Sequence, residues 1–165
     1  MDIRKLLIKD AKAYHMLRLE ALRTAPDAFA ASLENAIDKP VSVTEEKLAQ
    51  ENAVTFGAFI NSRLVGNVTL SRHVSPKMNH RASVFAVYVT PEVRGGGVAK
   101  KLMEELIAYA RTWAGLERLD LAVASHNEAA TRLYKALGFE TYGVDMKAMK
   151  TSEKYINENL MVKFL

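Results

Sequence analysis

Val87-Tyr88-Val89-Thr90-Pro91-Glu92-Val93-Arg94-Gly95-Gly96-Gly97-Val98-Ala99-Lys100-Lys101-Leu102 is the stretch on which the reading of this chain turns. An alternating β-branched run meets a proline, three glycines follow, and Val98, Leu102, Leu106 and Ala110 then recur at four-residue intervals. The pattern predicts a strand, a tight corner, and a helix whose apolar stripe packs on a sheet. The first N–H groups of a helix have no acceptor within it, and the helix dipole adds partial positive charge there. Such an end is an anion site. Gly95, Gly96 and Gly97 remove the Cβ atoms that hold a phosphate away, and they admit positive φ where the loop curls. A phosphate-bearing ligand is therefore favoured over a turn that binds nothing.

Spacing sorts the known glycine loops. The mononucleotide loop G-x-x-x-x-G-K-[ST] fails, because Lys100 is followed by Lys101 and no hydroxyl is present for magnesium. The dinucleotide fingerprint G-x-G-x-x-G, counted from Gly95 and Gly97, puts Lys100 where its third glycine belongs. What the segment does match is R-x-x-G-x-A, with Arg94, Gly97 and Ala99 in the fixed places behind a V-x-V strand. In this it resembles the acetyl-coenzyme A loop of the GCN5-related N-acetyltransferase (GNAT) family.

A second stretch is independent of the first. Leu119 to Ala124 reads as a strand, and Ser125-His126-Asn127-Glu128 supplies helix-start residues, with Ser125 and Glu128 at capping-box spacing. The helix then runs to Gly138, a natural C′ residue. Asn127 and Tyr134 are seven residues apart, so two helical turns put them on one face. Alone, such a tyrosine reads as a half-buried aromatic. The run Asn127, Ala130, Leu133-Tyr134, Gly138-Phe139 resembles the second signature of the same family, in the expected order.

The resemblance implies a set of roles. Asn127 contacts the coenzyme and the Tyr134 hydroxyl protonates the departing thiolate. Backbone around Val87 supplies donors to the acyl oxyanion, and Val87 and Val89 pair with the pantetheine arm. The pyrophosphate sits on the N–H groups of Gly95, Gly97, Val98 and Ala99 within the Arg94, Gly96 corner, and Lys135 reaches the 3′-phosphate. The chemistry is consistent: a thiolate whose thiol has a pKa of roughly 8.5 leaves beside a phenol of roughly 10, which donates a hydrogen bond or proton.

An ammonium acceptor must lose a proton before attack, so a base or water relay is needed. Glu34 and Glu158 are the candidates, each otherwise a surface carboxylate. Glu158 belongs to Tyr155-Ile156-Asn157-Glu158, an ending that resembles the Y-x-[DN]-E-x-x-M close of several family members. An amino acid, polyamine, aminoglycoside, peptide terminus or lysine is compatible as acceptor. Two rival readings stand beside the enzyme: a non-catalytic module that binds coenzyme A or acyl-coenzyme A, and a nucleotide-binding domain.

Composition sets the outer bounds. At 165 residues the chain has the length of one domain, expected to be a single N-acetyltransferase unit over 1–165. No stretch approaches ~18 consecutive apolar residues, and Asp2, Arg4 and Lys5 break any signal-like start, which predicts a soluble cytoplasmic protein with no membrane partner. There is no cysteine, so an acyl-cysteine intermediate is excluded and direct transfer in a ternary complex is the default. His15, His73, His80 and His126 show no metal-ligand spacing, and no metal is expected. The net charge of +4 suits a polyanionic coenzyme. No nucleic-acid module is recognisable. Many family members dimerise, which makes a homodimer an implied assembly.

The expected fold class is α/β in the mixed α+β sense: one GNAT-type domain with a central, mostly antiparallel mixed sheet, flanking helices, and strands splayed at the coenzyme site. A strand from Ile3 to Ile8, a helix capped by Asp10, a short helix from Asp27 to Ala36 and a helix capped by Thr44 are expected first. Strands from Thr55 to Ile60 and Leu64 to Arg72 join across Asn61-Ser62-Arg63, and Ala82 to Val89 leads into the glycine corner. Thr141 to Met149 and Tyr155 to Leu165 form a terminal antiparallel pair.

Overall fold

The computed structural model describes residues 1–165. Seven strands, β1 (Asp2–Lys5), β2 (Ala53–Ile60), β3 (Arg63–Arg72), β4 (Arg81–Val89), β5 (Arg118–Ala124), β6 (Glu140–Lys150) and β7 (Tyr155–Phe164), form one sheet in the order β1-β2-β3-β4-β5-β7-β6. Every neighbouring pair is antiparallel except β4 and β5. The helices are α1 (Ala11–Thr24), α2 (Leu33–Ile37), α3 (Val41–Leu48), α4 (Val98–Ala110) and α5 (Glu128–Ala136). This is the mixed, mostly antiparallel sheet that the sequence led us to expect.

Side-chain alternation builds a core on each face of the sheet. Val89 joins the larger cluster, with Leu102, Met103 and Leu106 of α4, while its neighbour Tyr88 joins a smaller one with Tyr14, Leu17 and Ala21 of α1. The β2–β3 hairpin turns on Asn61 and Ser62, both at positive φ (48° and 65°), the requirement of the tight two-residue turn whose twist matches the strands. That turn is one residue shorter than the expected connection.

Several local expectations are corrected. The first strand ends at Lys5, because Asp10 reaches back: its carboxylate accepts Arg4 Nη1 and Nη2 and the Leu7 N–H, all at 2.8 Å. Asp10 thus stands at the α1 N-cap position without capping it, and the arginine pairing holds its carboxyl down at about 2. No continuous helix spans Asp27 to Ala36. A 3-10 turn at Pro26–Ala28 gives way to extended Phe29, whose ring packs 6.5 Å from that of Tyr88, and Ser32 then caps α2. Thr44 lies inside α3, which starts after Pro40; its hydroxyl meets His15 Nδ1 at 3.1 Å. Ser125 does not open α5, because its N–H still bonds Asn157 O at 2.8 Å as an extension of the strand ladder. Asn127 is the cap instead, accepting the Ala130 N–H at 3.1 Å.

One joint positions everything that follows. β4 and β5 pair over only Arg81↔Arg118, Ala82↔Leu119 and Ser83↔Asp120, and then separate. At the last pair, Asp120 accepts Arg81 Nε at 2.9 Å and Arg118 Nε and Nη2 at 2.8 and 2.6 Å. Beyond it β4 carries a bulge: Thr69 faces Phe85 and Asn67 faces Tyr88, so Ala86 and Val87 together oppose Val68. Ala86 takes a φ of 54°, and its carbonyl accepts Asn67 Nδ2. The bulge bends β4 away from β5 and opens a cleft.

Asp120→Asn should unfasten this joint. The two arginines are about a quarter exposed, so water offsets part of the loss. The expected cost is about 2 kcal/mol in chemical denaturation, with a Tm drop on the order of 5 °C.

Candidate active site

The cleft between β4 and β5 is a cavity of about 1100 Å³. Its floor is the open edge of β4. Because the Thr90 N–H turns toward β3, donating to Val65 O at 2.9 Å, the Val89 carbonyl of the same peptide turns the opposite way, into the cleft, and Val87 lines the cleft at the bulge. Val89 O is engaged there by Arg94 Nε at 2.9 Å, which folds the arginine of the glycine corner back onto the strand it follows. The guanidinium lies 5.6 Å from the centroid of the Tyr88 ring.

The corner fits a diphosphate group. Gly95 and Gly97 stand at φ of 78° and 77°, and a Cβ built on either meets nothing within 4 Å. Glycine is needed there for its dihedral, and the space a side chain would fill is left to a ligand. Gly97 is the α4 N-cap with no side chain capping it. The first helical bond runs from Lys101 N–H to Gly97 O at 3.1 Å, so the N–H groups of Val98, Ala99 and Lys100 have no acceptor in the protein. Gly96 differs: its N–H bonds Val93 O at 3.4 Å, and it is not among the cavity-lining residues.

On the opposite wall, α5 presents Asn127 and Tyr134 to the same cavity. Tyr134 is only 6% exposed, its ring set edge-on against Phe139 at 6.1 Å. No fully buried side-chain polar atom lacks a partner, and the Tyr134 hydroxyl bonds to no protein group, so that oxygen opens onto the cavity. Burial pushes its pKa up to about 12. It is therefore a protonated donor across the physiological range. Asn127 spends its Oδ1 on the α5 cap and keeps Nδ2 as a free donor.

Of the two candidate bases, only Glu158 reaches the cavity. It sits on β7 opposite Ala124 and Asp145, and burial, then the nearby Asp145 charge, raise its pKa. Glu34 lies exposed on α2 away from the cavity, and Lys135 is exposed on α5 and likewise outside it. Val87, Val89, Arg94, Gly95, Gly97, Val98 and Ala99 all line it. No group of three or more His, Asp or Glu residues is placed to hold a metal ion.

The resemblance implies that the segments ahead of the sheet wall the acceptor end of the pocket, but sequence reasoning singled out none of the residues that do so. Arg18 of α1, the segment from Ala28 to Ala31, and Phe85 complete its walls. The latter segment is tied across the cleft by Asp27, whose Oδ2 lies 2.8 Å from Lys154 Nζ in the β6–β7 turn and 3.7 Å from His126 Nε2. Asp120 was missed as well. A charge inside Leu119-Asp120-Leu121-Ala122-Val123, flanked by Arg118, is the signal that could have found it.

Comparisons with known proteins agree with this geometry. L-amino acid N-acetyltransferase AaaT of Escherichia coli strain K12 is 25% identical over 161 residues, covering 96% of this chain and 98% of that protein. An acetyltransferase of the GNAT family from Streptococcus pneumoniae superposes with a TM-score of 0.90 at 26% identity over 99% of both chains. The putative acetyltransferase yncA from Salmonella typhimurium, whose structure includes acetyl-CoA, shares the fold with a TM-score of 0.82 at 20% identity, over 100% of this chain and 94% of that one. The profile of the acetyltransferase (GNAT) family matches residues 12–139, most of the chain, and this protein belongs to that family.

Proposed function

We propose that the protein is an acetyl-CoA-dependent N-acetyltransferase in which a primary amine attacks the thioester directly in a ternary complex. The observation that carries this reading is the meeting, in one cavity, of the uncapped Gly95–Gly97 corner and the open Tyr134 hydroxyl. The cavity is at the upper end of the volumes that enclose single small ligands, which suits a long coenzyme and an acceptor together. The names of the relatives, and the coenzyme in the Salmonella neighbour, support the same choice.

Acetyl-CoA, when bound, supplies an acetyl group activated as a thioester. The N–H groups of Val98, Ala99 and Lys100, with the α4 dipole behind them, hold the pyrophosphate. The Val87 N–H, at the bulge, is the proposed donor for the acyl oxygen as it gains charge. An ammonium acceptor gives up two protons as its C–N bond forms and the C–S bond breaks. One reaches the sulfur by way of Tyr134, and the other leaves through Glu158 to solvent. A phenol near 12 is a reluctant acid in water. The same apolar wall that raises it also raises the basicity of the sulfur facing it, so the transfer stays matched. Burial likewise moves Glu158 toward the pH at which a carboxylate is an effective base.

Titration calorimetry with coenzyme A should show saturable binding tighter than about 1 mM, abolished in Gly97→Val. Absence of binding to the wild type at that concentration overturns the proposal, whereas binding without thiol release across an amine panel leaves a coenzyme-binding module.

Tyr134→Phe should lower kcat by about 100-fold while the dissociation constant for coenzyme A stays within about twofold. Equal kcat in the two proteins removes the acid role.

Glu158 must be ionised to accept a proton, and its raised pKa moves the loss of the ionised form to higher pH. The rate should thus fall on acidification at a pH above the ordinary carboxylate range. Glu158→Gln should lose this limb of the pH profile along with about 100-fold in kcat.

A further inference from the structure

The charged side chains on the cavity wall are Arg18, Arg94, Lys100, Asp120 and Glu158. Three are accounted for. Asp120 is held by two arginines, and Arg94 and Lys100 belong to the glycine corner and first turn of α4. Arg18 and Glu158 are left, one of each sign, and neither makes an ion pair or a side-chain hydrogen bond. The Arg18 guanidinium lies 5.7 Å from the centroid of the Phe29 ring, and the Lys47 ammonium is close enough to feel its charge. An arginine and a carboxylate that line one cavity without neutralising each other are apart, and each is free for a ligand group.

The remaining surface at this end is apolar. Phe29, Ala30 and Ala31 come from the segment tied by Asp27, Phe85 from β4 and Leu160 from β7. The alanines leave volume where larger side chains would fill it.

We propose that the acceptor is a free α-amino acid with an apolar side chain, its carboxylate bound by Arg18 and its amino group directed to Glu158. This rests on the acetyltransferase reading above and narrows its substrate. Each rival acceptor conflicts with the charge pattern. A polyamine or aminoglycoside carries further ammonium groups that require further carboxylates, and here it meets a single unpaired carboxylate and an opposing guanidinium. A peptide N-terminus has no carboxylate next to its amine for Arg18 to hold. The planar guanidinium matches a carboxylate bidentately, and the Phe29 ring steadies it from one side. An apolar amino-acid side chain then packs on the alanine-lined wall and displaces water from it.

The test uses the full-length protein with acetyl-CoA, reading released thiol, and matched acceptor pairs: leucine against isoamylamine and phenylalanine against phenethylamine, with spermidine alongside. The amino acid of each pair should be preferred at least about 10-fold in kcat/KM. Arg18→Gln should raise KM for leucine by about 30-fold with little change in kcat, leave kcat/KM for isoamylamine within about twofold, and leave coenzyme affinity intact. Arg18→Lys should recover part of the loss. Preference for the decarboxylated amine or spermidine, or an equal loss for both members of a pair in Arg18→Gln, overturns the inference while leaving the acetyltransferase reading standing. Coenzyme binding with no acceptor turned over overturns both.

Discussion

The three-residue contact between β4 and β5, locked by Asp120 between Arg81 and Arg118, is the constraint from which the rest of the molecule is arranged. Below the lock the two halves of the sheet form one surface with a shared core. Above it, the Ala86–Val87 bulge turns β4 aside, and two lengths of strand are left without the partner each would otherwise have. A parallel pair needs a crossover helix, and α4 is that helix. Its N-terminus therefore lies where β4 leaves the sheet, at the mouth of the gap. The open strand edge and the bare helix amides are thus two products of the same divergence, and both face the cavity from one side.

Burial acts on both groups proposed to move protons, with opposite consequences for their readiness. It holds Tyr134 protonated well above neutrality, which protects a donor, and it brings Glu158 upward toward the working range, which favours an acceptor of protons. One apolar cavity produces both effects because the charged form of each group is the anion. Placed on opposing elements, α5 and β7, the tyrosine and the carboxylate need no contact with each other to divide the work.

The coenzyme half of the site was legible because its requirements are local. A glycine corner, an uncapped helix start and a seven-residue spacing between Asn127 and Tyr134 are all properties of contiguous sequence. The other half was legible only at Glu158, because Arg18, Phe29 and Phe85 come from three further segments that only tertiary packing assembles. Glu34 illustrates the difference: a carboxylate expected as a candidate base, it is exposed on a helix too short to constrain it. The misplaced caps share a cause. Ser125 and Thr44 have suitable hydroxyls, but a ladder bond at the end of β5 and a bond to His15 had first claim on those residues. Phe29 broke the expected helix for the same kind of reason, its ring being drawn against Tyr88.

The brevity of that parallel contact bears on how the protein breathes. Two antiparallel blocks, β1 to β4 and β5 to β7, are each held by long ladders, while only three residue pairs stitch one to the other. Subglobal opening concentrates where cooperative units meet through few bonds. The seam is the natural hinge of the sheet, because bending there leaves the ladders within both blocks intact. Ligand entry can then draw on a flexing already present in the architecture, at the place where the molecule is least stitched together.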